Sequence, residues 1–259
     1  MHNAAFAALG LNWCYVACEV DPQNLRAAID GAKAMGLAGL NLTLPHKLLA
    51  VDMMDELDAS AKKWGAVNTV HITEQGAVGY NTDADAVTTS LREDLKVKVR
   101  GAKVLLLGAG GAGRTAALKL AAERVAELYL VNRTRSKAEV IAEEIKTHYP
   151  SVKVSTAYPK GKGDLLLNAT SLGLQPDDEL PLKVKQFKFK QTPAVYDMVY
   201  RPAETALLHA ARLAGCKTVN GLGMLLHQGA KAFEIWTGRA APLPAMRRAL
   251  EDNVYGPAK

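Results

Sequence analysis

Apolar positions fall into two series along the chain, each alternating between the two-residue rhythm of strands and the three-to-four-residue rhythm of helices. In residues 1–100, "WCYVACEV" (13–20), "LAGLNLTL" (37–44), "AVNTVHI" (66–72) and "AVGYNT" (77–82) predict strands. Between the first two, "NLRAAIDGAKAMG" has helical spacing and a glycine stop. After "LREDLKVKVRGAK" a second series begins with "KVLLLGAGGAGRTAALKLAAE" and continues through "ELYLVNRT", "SKAEVIAEEIKTH", "VKVSTAY", "DLLLNATS" and "AVYDMV". Strands alternating with helices predict an α/β protein. No repeat of fixed period interrupts the pattern, so two α/β domains meeting near residue 100 are expected, with a mainly parallel sheet in the first and βαβ logic in the second.

Composition narrows the function classes. With 259 residues, 49% of them apolar and 22% charged, the chain has enough apolar material for proper cores and is unlike a disordered one. Its three cysteines, Cys14, Cys18 and Cys216, form neither a CxxC pair nor a zinc-finger spacing, which predicts no metal and a reducing, cytoplasmic setting. Cys14 and Cys18 read as core residues on one face of the first strand. No apolar run approaches a membrane span, and "MHNAAF" lacks the basic region of a signal peptide. The net charge is +6 and the pI about 9.1. Apart from "KVKQFKFK" (183–190), expected to be amphipathic and partly exposed, the basic residues are dispersed, so a nucleic-acid partner is not indicated. Such a charge suits an anionic small substrate and a phosphorylated cofactor.

The strongest local signal is "LLLGAGGAG". It places Gly108, Gly110 and Gly113 in the G-x-G-x-x-G spacing, directly after an apolar strand and before a helical run, with Gly111 inside the same turn. Such glycines permit the tight turn, the approach of a pyrophosphate and close helix–strand packing, while the helix N-terminus favours the anion. Where an NAD-binding protein carries a carboxylate for the ribose 2′-hydroxyl, this chain has Asn132, Arg133, Thr134 and Arg135, with Lys137 close behind. A guanidinium pairs with a 2′-phosphate in a forked geometry, so NADP is the expected cofactor.

Chemistry in the first domain is signalled by "NLTLPHK". Pro45 ends the predicted strand, leaving Lys47 just beyond it, and open α/β sheets bind ligands beyond the carboxyl ends of strands. Polar residues also gather in "GAVNTV" (65–70), "GYNTDADAV" (79–87) and "NGLGMLLHQGAKAFEIW" (220–236). Among them Asn68, Asn81, Asp83 and Gln228 have the donors and acceptors that a polyhydroxylated ligand needs.

In this order, "MHNAAF", "LTLPHK", "GAVNTV", "GYNTDADA", "LGAGGAG", "NRTRSKA", "NATSLG", "YDMVYRPAETALL" and "NGLGMLLHQGAKAFEIWTG" resemble the successive signatures of the shikimate dehydrogenases over essentially the whole chain. The resemblance implies a substrate domain of residues 1–100 with a C-terminal return at 221–259, and a Rossmann NADP-binding domain at 101–220. It implies that Lys47 and Asp83 are the catalytic pair and that Thr43, Asn68, Tyr200 and Gln228 hold or border the substrate. It also implies a phosphate clamp of Asn132, Arg133, Thr134 and Lys137, with Thr170, Ser171, Met198, Gly221 and Met224 lining the cofactor. The implied reaction is the reversible, NADPH-dependent reduction of 3-dehydroshikimate to shikimate in aromatic amino acid biosynthesis. A monomer or homodimer with a small-molecule substrate follows from it.

Members of that family usually begin with a further strand and a Ser-x-Ser-Pro segment that grips the substrate carboxylate, whereas this sequence opens at Met1-His2-Asn3. A late start with catalysis intact is the expectation, since Lys47 and Asp83 are both present. Two alternatives stay open on the residues: a quinate/shikimate dehydrogenase, and a non-catalytic NADPH-binding module.

Overall fold

The computed structural model describes residues 1–43 and 45–256. Leu44, in the expected second strand, and residues 257–259, in the expected C-terminal return, lie outside the described residues. The chain divides into two compact units, one of residues 1–84 with 226–253 and the other of residues 85–225 with 254–256. Among the described residues no helix is long and apolar enough to cross a membrane.

The first unit contains α1 (His2–Ala8), α2 (Leu25–Ala34), β1 (Gly39–Asn41), α3 (His46–Leu49), β2 (Glu56–Leu57), α4 (Ala59–Trp64), β3 (Thr69–Thr73) and β4 (Gly76–Tyr80). Its sheet has the order β1-β3-β4-β2. β3 runs antiparallel to both β1 and β4, and only β2 joins β4 in parallel. The sheet is therefore mixed, which corrects the expected mainly parallel one. The cause is local: only Glu74 and Gln75 separate β3 from β4, a hairpin length, whereas a parallel pair needs a crossover of a dozen residues or more. Leu25 and Ile29 of α2 pack with Ala61, Val67, Val70 and Ala77 to form the core. Gly39 is small because Trp236 lies across it, the indole N–H donating to the Val70 carbonyl at 2.9 Å.

Residues 13–20 correct a second expectation. They are in no strand; Cys14 and Cys18 are exposed, as are Trp13 and Val16. The side chain of Asn3 takes the place of a neighbouring strand at Tyr15, accepting from its N–H at 2.7 Å and donating to its carbonyl at 2.9 Å.

The second unit begins within α5 (Asp83–Glu93) and continues through β5 (Lys103–Leu107), α6 (Gly111–Ala122), β6 (Glu127–Val131), α7 (Arg135–His148), β7 (Lys153–Ser155), β8 (Leu165–Asn168), β9 (Ala194–Asp197), α8 (Ala206–Leu213) and β10 (Lys217–Val219). Every pairing in its six-stranded sheet, ordered β10-β9-β8-β5-β6-β7, is parallel. Parallel strands covered on both faces read as continuous apolar runs, as "VLLL" and "LLL" do here. In "KVKQFKFK", Phe187 is buried in the core of this unit while Lys183, Lys185, Lys188 and Lys190 are exposed. The last helices among the described residues are α9 (Leu222–Thr237) and α10 (Leu243–Tyr255).

His2 is buried in the first unit, stacked on Tyr15 with ring centroids 4.4 Å apart and 5.4 Å from the Trp236 ring, and among the described residues its Nδ1 has no hydrogen-bond partner. Burial lowers its pKa to about 4. The unfolded chain takes up this proton near pH 6.5, and the folded chain takes it up only near pH 4. Stability should therefore fall with pH across that window, by about 3 kcal/mol over its full width. Thermal unfolding of the parent and of His2→Phe checks this: between pH 6.5 and 5 the variant's melting temperature should change less than the parent's.

Candidate functional site

Helix α4 starts on the side chain of Asp58, which accepts from the Ser60 N–H, and stops at Gly65 in the left-handed conformation. That reversal sends residues 66–68 into the core, where the Asn68 backbone bridges two strands: its N–H donates to the Tyr80 carbonyl, and its carbonyl accepts from the Leu42 N–H. The Asn68 side chain is 1% exposed. It donates to Asp83 Oδ1 and Thr82 Oγ1, both at 2.9 Å, and to Gln228 Oε1 at 3.4 Å, while accepting from the Thr82 N–H at 2.8 Å.

Lys47 lies on the short helix α3, one residue after His46, and the Lys47 carbonyl accepts from the Val67 N–H at 2.8 Å. Its Nζ donates to Asp83 Oδ2 at 2.7 Å. Asp83 thus spends one oxygen on the ammonium and the other on Asn68. The Lys47 side chain remains 25% exposed. Thr43 is exposed, and Gln228 is half-buried on α9. Asn81, a polar candidate from the sequence, plays a different part, since its side chain accepts from the Ala84 N–H, capping α5, and donates to the Ala66 carbonyl. Thr82, not singled out from the sequence, stands beside Asn68, and the polar pair "NT" preceding Asp83 was its only signal.

In the second unit the three motif glycines meet different surroundings. Gly108 has φ +106°, and a Cβ there would lie 2.8 Å from the Ala169 carbonyl oxygen. A Cβ on Gly113 would strike the Gly108 backbone. Over Gly110, the residue that caps α6, a Cβ would meet nothing within 4 Å among the described residues. The turn thus combines a crowded inner side with an open outer side at the start of a helix, where a pyrophosphate fits and its charge is favoured. Asn132 braces the turn, accepting from the Ala109 N–H at 3.1 Å and donating to the Thr134 carbonyl at 2.8 Å. Arg133, Thr134 and Lys137 are exposed at the end of β6, and Arg135 is paired with Glu139. No carboxylate occupies the strand end between Val131 and Lys137, so the donors present fit a phosphorylated ribose.

The remaining candidates lie at the carboxyl ends of the strands. Thr170 and Ser171 follow β8, and Met198 and Tyr200 follow β9, with Tyr200 36% exposed. Gly221 precedes α9, and a Cβ there would strike the Met198 carbonyl; Met224 is half-buried in the first turn of α9. Two polar residues that the sequence reading missed, Asn168 and Asp197, are completely buried among these loops. Their signal was a polar residue closing an otherwise apolar strand, in "LLLN" and "AVYD".

A parallel sheet whose first strand leads into so shaped a glycine turn, joined to an α/β unit that holds a lysine against a carboxylate, is the framework of a dinucleotide-dependent dehydrogenase. Comparison with known proteins makes the class specific. Residues 1–70 match the shikimate dehydrogenase substrate binding domain, residues 90–171 the shikimate / quinate 5-dehydrogenase family, and residues 221–251 the shikimate 5′-dehydrogenase C-terminal domain. A relative from Methanopyrus kandleri, shikimate dehydrogenase (NADP(+)), is 42% identical over 98% of this chain and 90% of its own. The solved structure of a shikimate dehydrogenase in complex with NADP+ superposes with a TM-score of 0.89 at 41% identity, covering 98% of this chain and 89% of that one. A ligand-free 5-ketofructose reductase from Gluconobacter sp. strain CHM43 gives 0.85 at 37%, covering 97% and 92%. The chain belongs to the shikimate dehydrogenase family.

The different surroundings of the glycines can be tested. Gly113→Ala should cost about 1–3 kcal/mol of stability through overpacking, seen as a lowered melting temperature. Gly110→Val should leave the melting temperature near that of the parent yet weaken NADPH binding by an order of magnitude or more, because its side chain occupies the space through which the phosphates approach.

Proposed function

We propose that the protein is an NADP-dependent shikimate dehydrogenase, reducing 3-dehydroshikimate reversibly to shikimate on the route to chorismate and the aromatic amino acids. Lys47, clamped on Asp83 in a chain of this family, is the observation that carries the reading. The first unit binds the substrate, with Thr43, Asn68 and Gln228 addressing its hydroxyls, and Tyr200 is the pocket tyrosine that the family resemblance implies. The glycine turn and the basic end of β6 hold NADPH, with Thr170, Ser171, Met198, Gly221 and Met224 lining its remainder. The enzyme works in the cytoplasm as a monomer or homodimer.

Bound NADPH supplies the hydride, and NADP+ takes it back in the oxidative direction. The chain's own residues manage the charge and the proton. As the C3 carbonyl carbon is reduced, negative charge grows on its oxygen, where the Lys47 ammonium stabilises it and then donates a proton, leaving the neutral amine. In reverse, that amine takes the proton from the C3 hydroxyl. Asp83 aims Nζ through the 2.7 Å hydrogen bond, and its carboxylate is oriented in turn by Asn68. Arg133, with no carboxylate at the same strand end, favours the 2′-phosphate and argues against an NAD-using quinate/shikimate dehydrogenase.

The direct test follows the appearance of NADPH absorbance as shikimate is oxidised, with NAD and quinate as alternative reactants, and its loss when 5-ketofructose is offered with NADPH for reduction. Shikimate with NADP+ should be the preferred pair. Lys47→Ala should lose roughly a hundred- to ten-thousand-fold in kcat while keeping NADPH affinity. Near-normal turnover in that variant would remove Lys47 from the chemistry, and NADPH binding with no turnover of any of these substrates by the parent would leave only the non-catalytic alternative.

A further inference from the structure

At the carboxyl edge of the second sheet, Asn168 ends β8 and Asp197 ends β9 directly opposite it. Both are completely buried. Asn168 Nδ2 donates to Asp197 Oδ1 at 2.9 Å and to the Leu172 carbonyl at 3.3 Å. Its Oδ1 accepts from the backbone N–H and the hydroxyl of Thr170, at 3.0 and 2.8 Å. Asp197 Oδ1 also accepts from the Val199 N–H at 3.0 Å, and Oδ2 accepts from the Thr205 hydroxyl at 2.6 Å. Thr205 Oγ1 in turn caps α8 through the Leu208 N–H. Among the described residues no lysine, arginine or histidine is paired with Asp197, and burial raises its pKa.

A buried carboxylate held by neutral donors alone is a costly way to fill a core, where an apolar residue of similar size would do. What it does secure is two loops at once. The network fixes residues 168–172 after β8 and residues 197–199 after β9, together with the start of α8. The Met198 N–H also donates to the Asn168 carbonyl, and the Val199 carbonyl accepts from the Gly221 N–H.

Strand order says which part of a dinucleotide these loops face. The glycine turn follows β5, and the basic strand end that suits the 2′-phosphate belongs to β6, on one side of β5. β8 and β9 lie on the other side. A dinucleotide draped across the turn must extend its second half toward them.

We propose that Asn168, Asp197 and Thr205 form a positioning network that sets the loops after β8 and β9 and so presents Thr170, Ser171 and Met198 to the nicotinamide half of the cofactor. It rests on the reading of this unit as the NADP-binding one. None of the three residues is proposed to touch reacting atoms.

The test measures binding of two ligands to Asp197→Asn, Thr205→Val and Thr205→Ser in the full chain. NADPH, followed by its own fluorescence, spans both halves; adenosine 2′,5′-bisphosphate occupies only the adenosine half. NADPH affinity should fall about tenfold or more in Asp197→Asn and Thr205→Val, the loss expected when a charge-assisted hydrogen bond is broken, while bisphosphate affinity stays within about twofold. Thr205→Ser, which keeps the hydroxyl, should restore NADPH affinity. If Asp197→Asn does not fold, the two Thr205 variants carry the comparison. NADPH affinity unchanged in a variant with a lowered melting temperature would mean a purely structural role and overturn the proposal, as would parallel loss of both ligands. Parent protein that binds NADPH but oxidises no shikimate would remove the proposed reaction and leave this network standing. Failure of the parent to bind either ligand would remove both.

Discussion

The Asn68 amide is buried at the junction of β3, β4 and the start of α5, and a buried amide must spend its donors and acceptor on fixed partners. Its partners are Thr82 and Asp83, so the direction in which the Asp83 carboxylate points is settled by a strand end rather than by solvent. The other carboxylate oxygen is then presented to Lys47, which the backbone anchors separately through the Val67 N–H. A long, flexible lysine is thereby confined without being fully buried. Much of the first unit serves that confinement. The turn at Gly65, the hairpin joining β3 to β4 and the Asn81 cap all bring chain to the same small volume.

In the second unit the corresponding constraint is the closeness of three backbones. Gly108, Gly113 and Ala169 approach so nearly that side chains at either glycine would displace main chain. This draws α6 onto β5 and leaves the helix N-terminus facing outward. Buried polar groups then complete what close packing begins, because loops beyond strand ends have no ladder of their own to order them.

Sequence made the second unit easier to read than the first. "LLLGAGGAG" followed by "ELYLVNRT" prescribes strand, turn, helix and strand with little freedom, and the fully parallel sheet agrees with that pattern. The first sheet depends on which strands neighbour one another, and alternation of apolar residues does not encode pairing direction; the two-residue link between β3 and β4 was the overlooked sign. "WCYVACEV" shows the same limit, since β-prone side chains make a strand only where another strand supplies hydrogen bonds, and at Tyr15 an asparagine side chain supplies them. Lys47 and Asp83 were visible as residues, and so was Asn68. Their connection was not, because the pair is separated by 36 positions in sequence and meets only through the tertiary fold.

The unequal surroundings of the motif glycines bear on how such motifs age. At Gly108 and Gly113 replacement costs folding stability whatever the chemistry, so descendants that abandoned the cofactor would still be under pressure to retain them. Gly110 has free space on its outer side and an ordinary extended backbone, so folding does not protect it. In a lineage released from dinucleotide use it would be the first of the three to drift, and its identity is therefore a more sensitive record of continued activity than the motif taken whole.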